Sequence, residues 1–198
     1  MKGIDLDCLA RARRGDPRAF RVVYEHCAEV AHRFLLRMIG DGAAAEDALQ
    51  ETFIRVLGGL GRFDPSGPAR LSTWVLTIAR RVALSRGLAE SRARRRERAA
   101  GESLPSSRGF DEEAAELRQA LSDAVAALPG AQRAVFVLRE TQALSYEEIA
   151  AIEETDVGTV KSRLHRARLA LQERLRDHLD GDVHSTTNGG SRERHAKA

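Results

Sequence analysis

Residues 145–175 read SYEEIAAIEETDVGTVKSRLHRARLALQERL. Ser145 stands three residues ahead of Glu148 and just before Ile149, Ala150 and Ile152. That is the signature of a capping box, in which each side chain takes up the other residue's free backbone N–H. A short link, Glu153 to Asp156, leads into Val157, Val160, Leu164, Ala167 and Leu171, one apolar face at helical spacing. Between Val157 and Arg176 six Lys or Arg stand against one Glu, net +5. Two helices with so tight a link, the second strongly basic, predict a helix-turn-helix.

Working outward, helical periodicity at Ala114, Leu117, Leu121, Val125 and Leu128 ends at Leu128-Pro129-Gly130, and Val135, Phe136 and Leu138 lead into the motif. A domain over 113–176 follows, with 177–198 a polar, disordered tail rich in Gly, Ser and Thr. Upstream, residues 88–112 carry charge and small residues but no apolar stripe, and are expected to be a flexible linker.

The N-terminal part repeats the helical pattern three times. Phe20, Val23, Tyr24, Cys27, Val30, Ala31, Phe34, Leu35 and Met38 predict a long amphipathic helix, broken at Gly40-Asp41-Gly42. Ala45, Ala48, Leu49, Thr52, Phe53, Val56, Leu57 and Leu60 predict a second. Two prolines and a glycine between Arg62 and Ala69 make a loop. A third helix starts near Leu71, with Leu71, Trp74, Val75, Ile78, Ala79 and Val82 on its core face and Ser72, Thr73, Thr77, Arg80, Arg81 and Ser85 largely on the other. The fold class is all-α, with a helical domain over 20–87 preceded by an extension over 1–19. Aromatics at 5% of 198 residues agree with helices built from straight-chain side chains.

The net charge of +3 hides strong segregation. Arg70 to Arg98 holds nine Arg against two Glu, whereas Asp111 to Ala127 holds five acids against one Arg. Two basic stretches separated by an acidic one predict two contacts with a polyanion. In the last helix Thr159, Lys161, Ser162, Arg163, His165, Arg166 and Arg168 lie off the apolar face, free to meet DNA. Cations neutralise phosphates, and short polar side chains near the helix start approach base edges. A basic amphipathic helix also suits an acidic protein partner or a membrane surface.

Enzymatic chemistry is not expected, because neither G-x-x-x-x-G-K-[ST] nor G-x-S-x-G is present. No cofactor or metal site is expected either. Cys8 and Cys27 are not in C-x-x-C spacing, His26 and His32 do not share a helix face as an i, i+4 pair would, and His178, His184 and His195 are scattered. No apolar run is long enough to cross a bilayer, and the first residues are too polar for a signal peptide, so a cytoplasmic protein with no membrane insertion is expected.

At these residues a family resemblance emerges. LPGAQRAVFVLRETQALSYEEIAAI followed by VGTVKSRLHRARLAL resembles region four of the extracytoplasmic-function sigma factors of the sigma-70 family, and DALQETFIRVL followed by STWVLTIARRVAL resembles their region two. The resemblance implies a region 2 helical bundle and a region 4 helix-turn-helix. It further implies a role in directing core RNA polymerase to the −35 and −10 promoter elements. By the same resemblance Thr159, Lys161, Ser162, Arg163, His165 and Arg166 face the −35 DNA, and Arg70, Ser72, Thr73, Thr77, Arg80 and Arg81 lie near the −10 strand. Asp47, Leu49, Gln50, Glu51 and Phe53 belong to the surface for the beta-prime clamp helices. The beta flap and an anti-sigma factor are the other partners implied.

Some positions read both ways or depart from the family. Phe53 and Trp74 lie on apolar stripes and suit a core as well as a partner or a stacked base. Arg81 and Ser85 replace the family's usual Asn and Asp, and Glu153 and Glu154 replace the usual apolar residue and turn glycine. A non-glycine residue at positive φ costs about 1 kcal/mol, which predicts a strained or reshaped turn. The rival readings are a stand-alone helix-turn-helix regulator and a sigma mimic acting through protein contacts alone.

Overall fold

A computed structural model describes residues 4–97 and 112–185. These residues form helices α1 (Leu6–Arg13), α2 (Pro17–Ile39), α3 (Gly42–Gly59), α4 (Leu71–Glu97), α5 (Glu112–Ala126), α6 (Gly130–Gln142), α7 (Tyr146–Glu153) and α8 (Val157–Ser185). A single 3₁₀ turn, Leu60–Arg62, follows α3, and no strand occurs among the described residues.

Local chemistry sets the helix ends. Asp16 caps α2 by accepting from the N–H groups of Arg18 and Ala19, while Pro17 occupies the first turn, where a missing N–H costs nothing. Gly40 ends α2 at φ 86°, a conformation a side chain would penalise, and Asp41 starts α3 by accepting from Ala44 at 2.7 Å. The capping box of α7 forms as predicted: Ser145 accepts from the Glu148 N–H, and Glu148 accepts from the Ser145 N–H.

The stripe of α2 buries Val23, Cys27, Ala31, Phe34 and Leu35 against α3 and α4. The segment 1–19, expected to be an extension, instead contributes α1, whose Leu9 and Ala12 join the same core. At eight residues, with only Leu9 and Ala12 buried, α1 is too short to show a sustained apolar stripe.

The two helical domains pack against each other. One apolar cluster runs from Phe34, Leu35, Met38, Leu76, Ala79 and Val82 into Val135, Leu138, Ile149, Ile152, Val160 and Leu164. α2 packs on α6, and α4 packs on α7. Arg133 crosses the seam to donate to the Met38 carbonyl at 2.7 Å.

The helix boundaries differ from expectation at two places. α4 runs past Gly87 to Glu97, so part of the expected linker is helical; α8 reaches Ser185, well into the expected tail. The added turns of α4, residues 88–97, are rich in Ala, Glu and Arg, which propagate a helix once it is nucleated, even with no apolar stripe. The remainder of the expected linker, 98–111, and of the tail, 186–198, lies outside the described residues.

Candidate nucleic-acid interface

The start of α8 is fixed by Asp156, whose carboxylate accepts the Thr159 N–H at 2.7 Å and the Thr159 hydroxyl at 2.6 Å. A Cβ on Gly158 would come within 2.9 Å of that carboxylate, so the glycine keeps room for the cap. Val160, Leu164, Ala167 and Leu171 are buried, which leaves Lys161, Ser162, His165 and Arg166 exposed on the outer face. The Lys161 ammonium also stands 5.7 Å from the centre of the Tyr146 ring, which Arg139 flanks at 4.9 Å.

Three of the six candidate residues on α8 are hydrogen-bonded within the chain, Ser162 among them, its hydroxyl donating to the Thr159 carbonyl at 3.0 Å. The Thr159 hydroxyl is held by Asp156, and Arg163 donates to Glu153 at 2.9 Å. Arg168, also off the apolar face, donates to Glu140 of α6 at 2.7 Å.

The candidate residues of α4 divide in the same way. Arg70 is exposed and Ser72 and Thr77 are half-buried, with the Thr77 hydroxyl donating to the Thr73 carbonyl at 3.1 Å. Thr73 itself is buried, which corrects its placement on a DNA-facing side. It shares a stripe with Leu76, Arg80 and Ala83, and Leu76 and Ala83 enter the core common to both halves. Arg80 donates from Nε and Nη2, one edge of its guanidinium, to the two carboxylate oxygens of Glu153, the Nη2 bond being 3.0 Å, and Arg81 donates to Glu154.

Glu153 is therefore the meeting point of the two candidate surfaces. Its side chain is fully buried, and it accepts from Arg80 of α4 and Arg163 of α8 together. A buried carboxylate is tolerated only when so paired; stripping away its partner costs about 3–5 kcal/mol. The adjoining Glu154 adopts φ 54°, the left-handed conformation expected where a glycine would ordinarily stand. The departure of both residues from the usual turn pattern was visible in sequence; that they reach across to α4 was not.

On α3, Asp47 and Gln50 are exposed, and Glu51 bridges Arg55 at 2.6 Å and Arg86 at 3.0 Å. Leu49 is half-buried and touches both core clusters. Phe53 is buried, with its ring centre 4.6 Å from that of Tyr24, which puts it on the core side of its two readings. Ile54 and Leu57 are exposed instead, at 72% and 50%, on the same side as Asp47 and Gln50. Leu57 had counted toward the core stripe, and Ile54 gave no signal, because periodicity alone does not say how wide the covered face is. Trp74 packs its ring 5.4 Å from Phe63, which assigns it to the core side of its two readings.

Among the described residues no cluster of His, Cys, Asp or Glu could hold a metal ion, and no helix is long and apolar enough to cross a membrane.

Known proteins share this arrangement. Residues 23–98 match sigma-70 region 2, and residues 118–171 match sigma-70 region 4. The RNA polymerase sigma factor CarQ of Myxococcus xanthus is 33% identical, over 84% of this chain and 95% of its own length. RNA polymerase sigma-H factor of Pseudomonas aeruginosa is 32% identical, over 86% of this chain and 93% of its own length. Among solved structures, the sigma factor RpoE in complex with the anti-sigma factor NepR from Bartonella quintana is similar with a TM-score of 0.60 and 27% identity, covering 79% of this chain and 96% of that one. CnrH in complex with the cytosolic domain of CnrY is similar with a TM-score of 0.60 and 25% identity, covering 88% of this chain and 96% of that one. The chain belongs to the extracytoplasmic-function subfamily of the sigma-70 family of RNA polymerase sigma factors.

Proposed function

We propose that this chain directs transcription initiation by joining core RNA polymerase and bringing it to promoters, and that it catalyses no reaction itself. The observation that carries the reading is the row of Lys161, Ser162, His165 and Arg166 along the exposed face of a capped second helix in a helix-turn-helix. Such a row suits a major groove, with the cations on phosphates and the polar groups near base edges. These residues, with Thr159 and Arg163, read the −35 element.

Arg70, Ser72, Thr77, Arg80 and Arg81 on α4 and the loop before it hold the −10 strand once the duplex opens. Cationic side chains beside a half-buried polar face suit a single strand's backbone. Asp47, Gln50, Glu51, Ile54 and Leu57 of α3 form the surface for core polymerase. A polar edge beside two exposed apolar side chains is the composition of a transient protein interface. An anti-sigma factor is a further partner, supported by the similar structure of a sigma factor in complex with the anti-sigma factor NepR. All of this takes place in the cytoplasm.

The test is run-off transcription by purified core polymerase with and without the protein, on a supercoiled template carrying the region upstream of its own gene. A discrete start site should appear only with the protein and vanish when Lys161, Arg163 and Arg166 are replaced together by Ala. Failure to bind core polymerase overturns the proposal and leaves a stand-alone regulator; binding without any transcript across a promoter library leaves a sigma mimic.

A further inference from the structure

The short helix α1 reaches the loop that precedes α4. Arg13, in its last turn, donates from Nη2 to the backbone carbonyl of Phe63, 50 residues away. Phe63 opens the loop: it closes the 3₁₀ turn with its N–H on the Leu60 carbonyl at 3.2 Å. Its ring is buried in one cluster with Leu9, Ala12 and Leu60, 5.4 Å from the ring of Trp74. Beyond it the loop is tied to itself, because Asp64 accepts the Ser66 N–H at 2.9 Å through its side chain and the Gly67 N–H at 3.2 Å through its carbonyl. The loop then delivers Arg70, whose carbonyl accepts the Trp74 N–H at 3.0 Å as α4 begins. Arg11 of α1 pairs with Asp16, the cap of α2, at 2.6 Å, so the segment that carries Arg13 is itself fastened to α2.

We propose that Arg13 is a positioning residue for the −10 strand: by holding the Phe63 carbonyl it fixes the root of the loop 63–70 and so sets Arg70 and Ser72 where an unpaired strand is received. The inference rests on the −10 reading of α4 and its loop given above. A buried ring alone leaves the backbone beside it free to turn about that ring. A donor on the carbonyl removes this freedom, and a charged donor holds it more firmly than a neutral one. An unpaired strand brings no rigid geometry of its own, so a loop ordered in advance spares the cost of ordering it during binding. The Arg13 guanidinium is spent on a protein carbonyl, so its effect on DNA passes through Phe63 and not through a phosphate.

The full chain tests this, free and joined to core polymerase, with Trp74, the single tryptophan of the sequence, as a reporter beside Phe63. Arg13→Met keeps the apolar stem and removes the donors, Arg13→Lys keeps a cationic donor, and Arg14→Met removes the same charge from the exposed neighbouring position. In the free protein Arg13→Met should make Trp74 more open to acrylamide quenching while helix content by circular dichroism is unchanged. Arg14→Met should quench as the wild type does. With core polymerase, on a fragment from upstream of the protein's own gene whose −10 segment is left unpaired, Arg13→Met should bind about tenfold more weakly. A loop in its receiving geometry about one tenth of the time lowers apparent affinity by that factor. Arg13→Lys should recover most of the affinity, and the slope of log affinity against log salt should be the same in all the proteins.

If Arg13→Met loses helix content, Arg13→Gln takes its place under the same expectations. Wild-type quenching and wild-type strand affinity in the Arg13 variant overturn the role of Arg13 and leave the −10 reading standing. Equal losses from Arg14→Met would reduce the effect to net charge, and a salt slope lowered by about 0.7 would put Arg13 itself on a phosphate; either result also overturns it. If no protein, the wild type included, holds the unpaired strand while Trp74 responds as expected, the −10 reading falls and Arg13 remains the anchor of the loop.

Discussion

The Asp156 carboxylate takes both the backbone N–H and the side-chain hydroxyl of Thr159, so a single side chain sets where α8 begins and fixes a residue proposed to face DNA. These bonds hold its carboxyl below the ordinary value of 3.8, the Thr159 hydroxyl contributing most and the Thr159 N–H next. A carboxyl whose folded value is depressed contributes stability that is fully present above the unfolded value and is lost as pH falls through the folded one. Asp156→Asn keeps an oxygen acceptor and removes the charge that favours a helix start. Melting temperatures of the two proteins should therefore differ at pH 7 and converge as pH is lowered below about 4. A gap that stays constant down to acid pH would show that the charge has no part in the cap.

Phe53 separates a packing role from a docking role. Buried against Tyr24 among Val56, Leu60 and Val75, it leaves a large void when truncated. Phe53→Ala should cost about 3–5 kcal/mol of stability, read by urea unfolding. Ile54→Ala, at an exposed position on the next residue, should change stability by no more than about 0.5 kcal/mol and yet weaken binding to core polymerase. The opposite pattern, a stable Phe53 variant with lost polymerase affinity, would return Phe53 to the interface.

How far the sequence carries is visible in such neighbours. The capping box of α7, the breaks at Gly40 and the loop before α4, and the stripes of α2, α3 and α4 all follow from rules that act within a few residues. The exposed Lys161, Ser162, His165 and Arg166 follow from the apolar face they avoid. Thr73 did not, because a local period does not say how wide the covered face of α4 is, and Thr73 is buried beside the stripe that the sequence shows. The Glu153 pairs escaped for a different reason: a carboxylate out of pattern announces that something is different, but not that Arg80, 73 residues away, is its partner.

The two thiols should react at very different rates. Cys27 is enclosed in the stripe of α2, and burial pushes its thiol up to about 12, so the reactive thiolate is scarce at neutral pH and out of reach. Cys8 is half-buried, and its Sγ lies 3.8 Å from the Ala19 carbonyl. Under native conditions iodoacetamide should modify Cys8 well before Cys27, with mass spectrometry of peptides as the measure. Addition of urea should bring the two rates together. Equal rates in the native protein would mean that α2 opens locally on the time scale of the reaction.

Arg166 and Arg168 lie two residues apart on α8 and differ in what already holds them. Arg166 is exposed, whereas Arg168 donates to Glu140 and so carries a partner that offsets its charge. Neutralising a phosphate releases condensed counterions, and each such contact steepens the fall of log affinity against log salt concentration by about 0.9. Arg166→Ala should reduce that slope by about 1, weakening promoter and random duplex alike if its contact is to phosphate, or promoter alone if it reaches a base. Arg168→Ala should leave the slope nearly unchanged, because a phosphate would first have to displace Glu140. Fluorescence anisotropy across a salt series gives both slopes. Equal losses from the two substitutions would mean that DNA strips the Glu140 pair, and that the DNA-facing strip of α8 is wider than its exposed residues alone define.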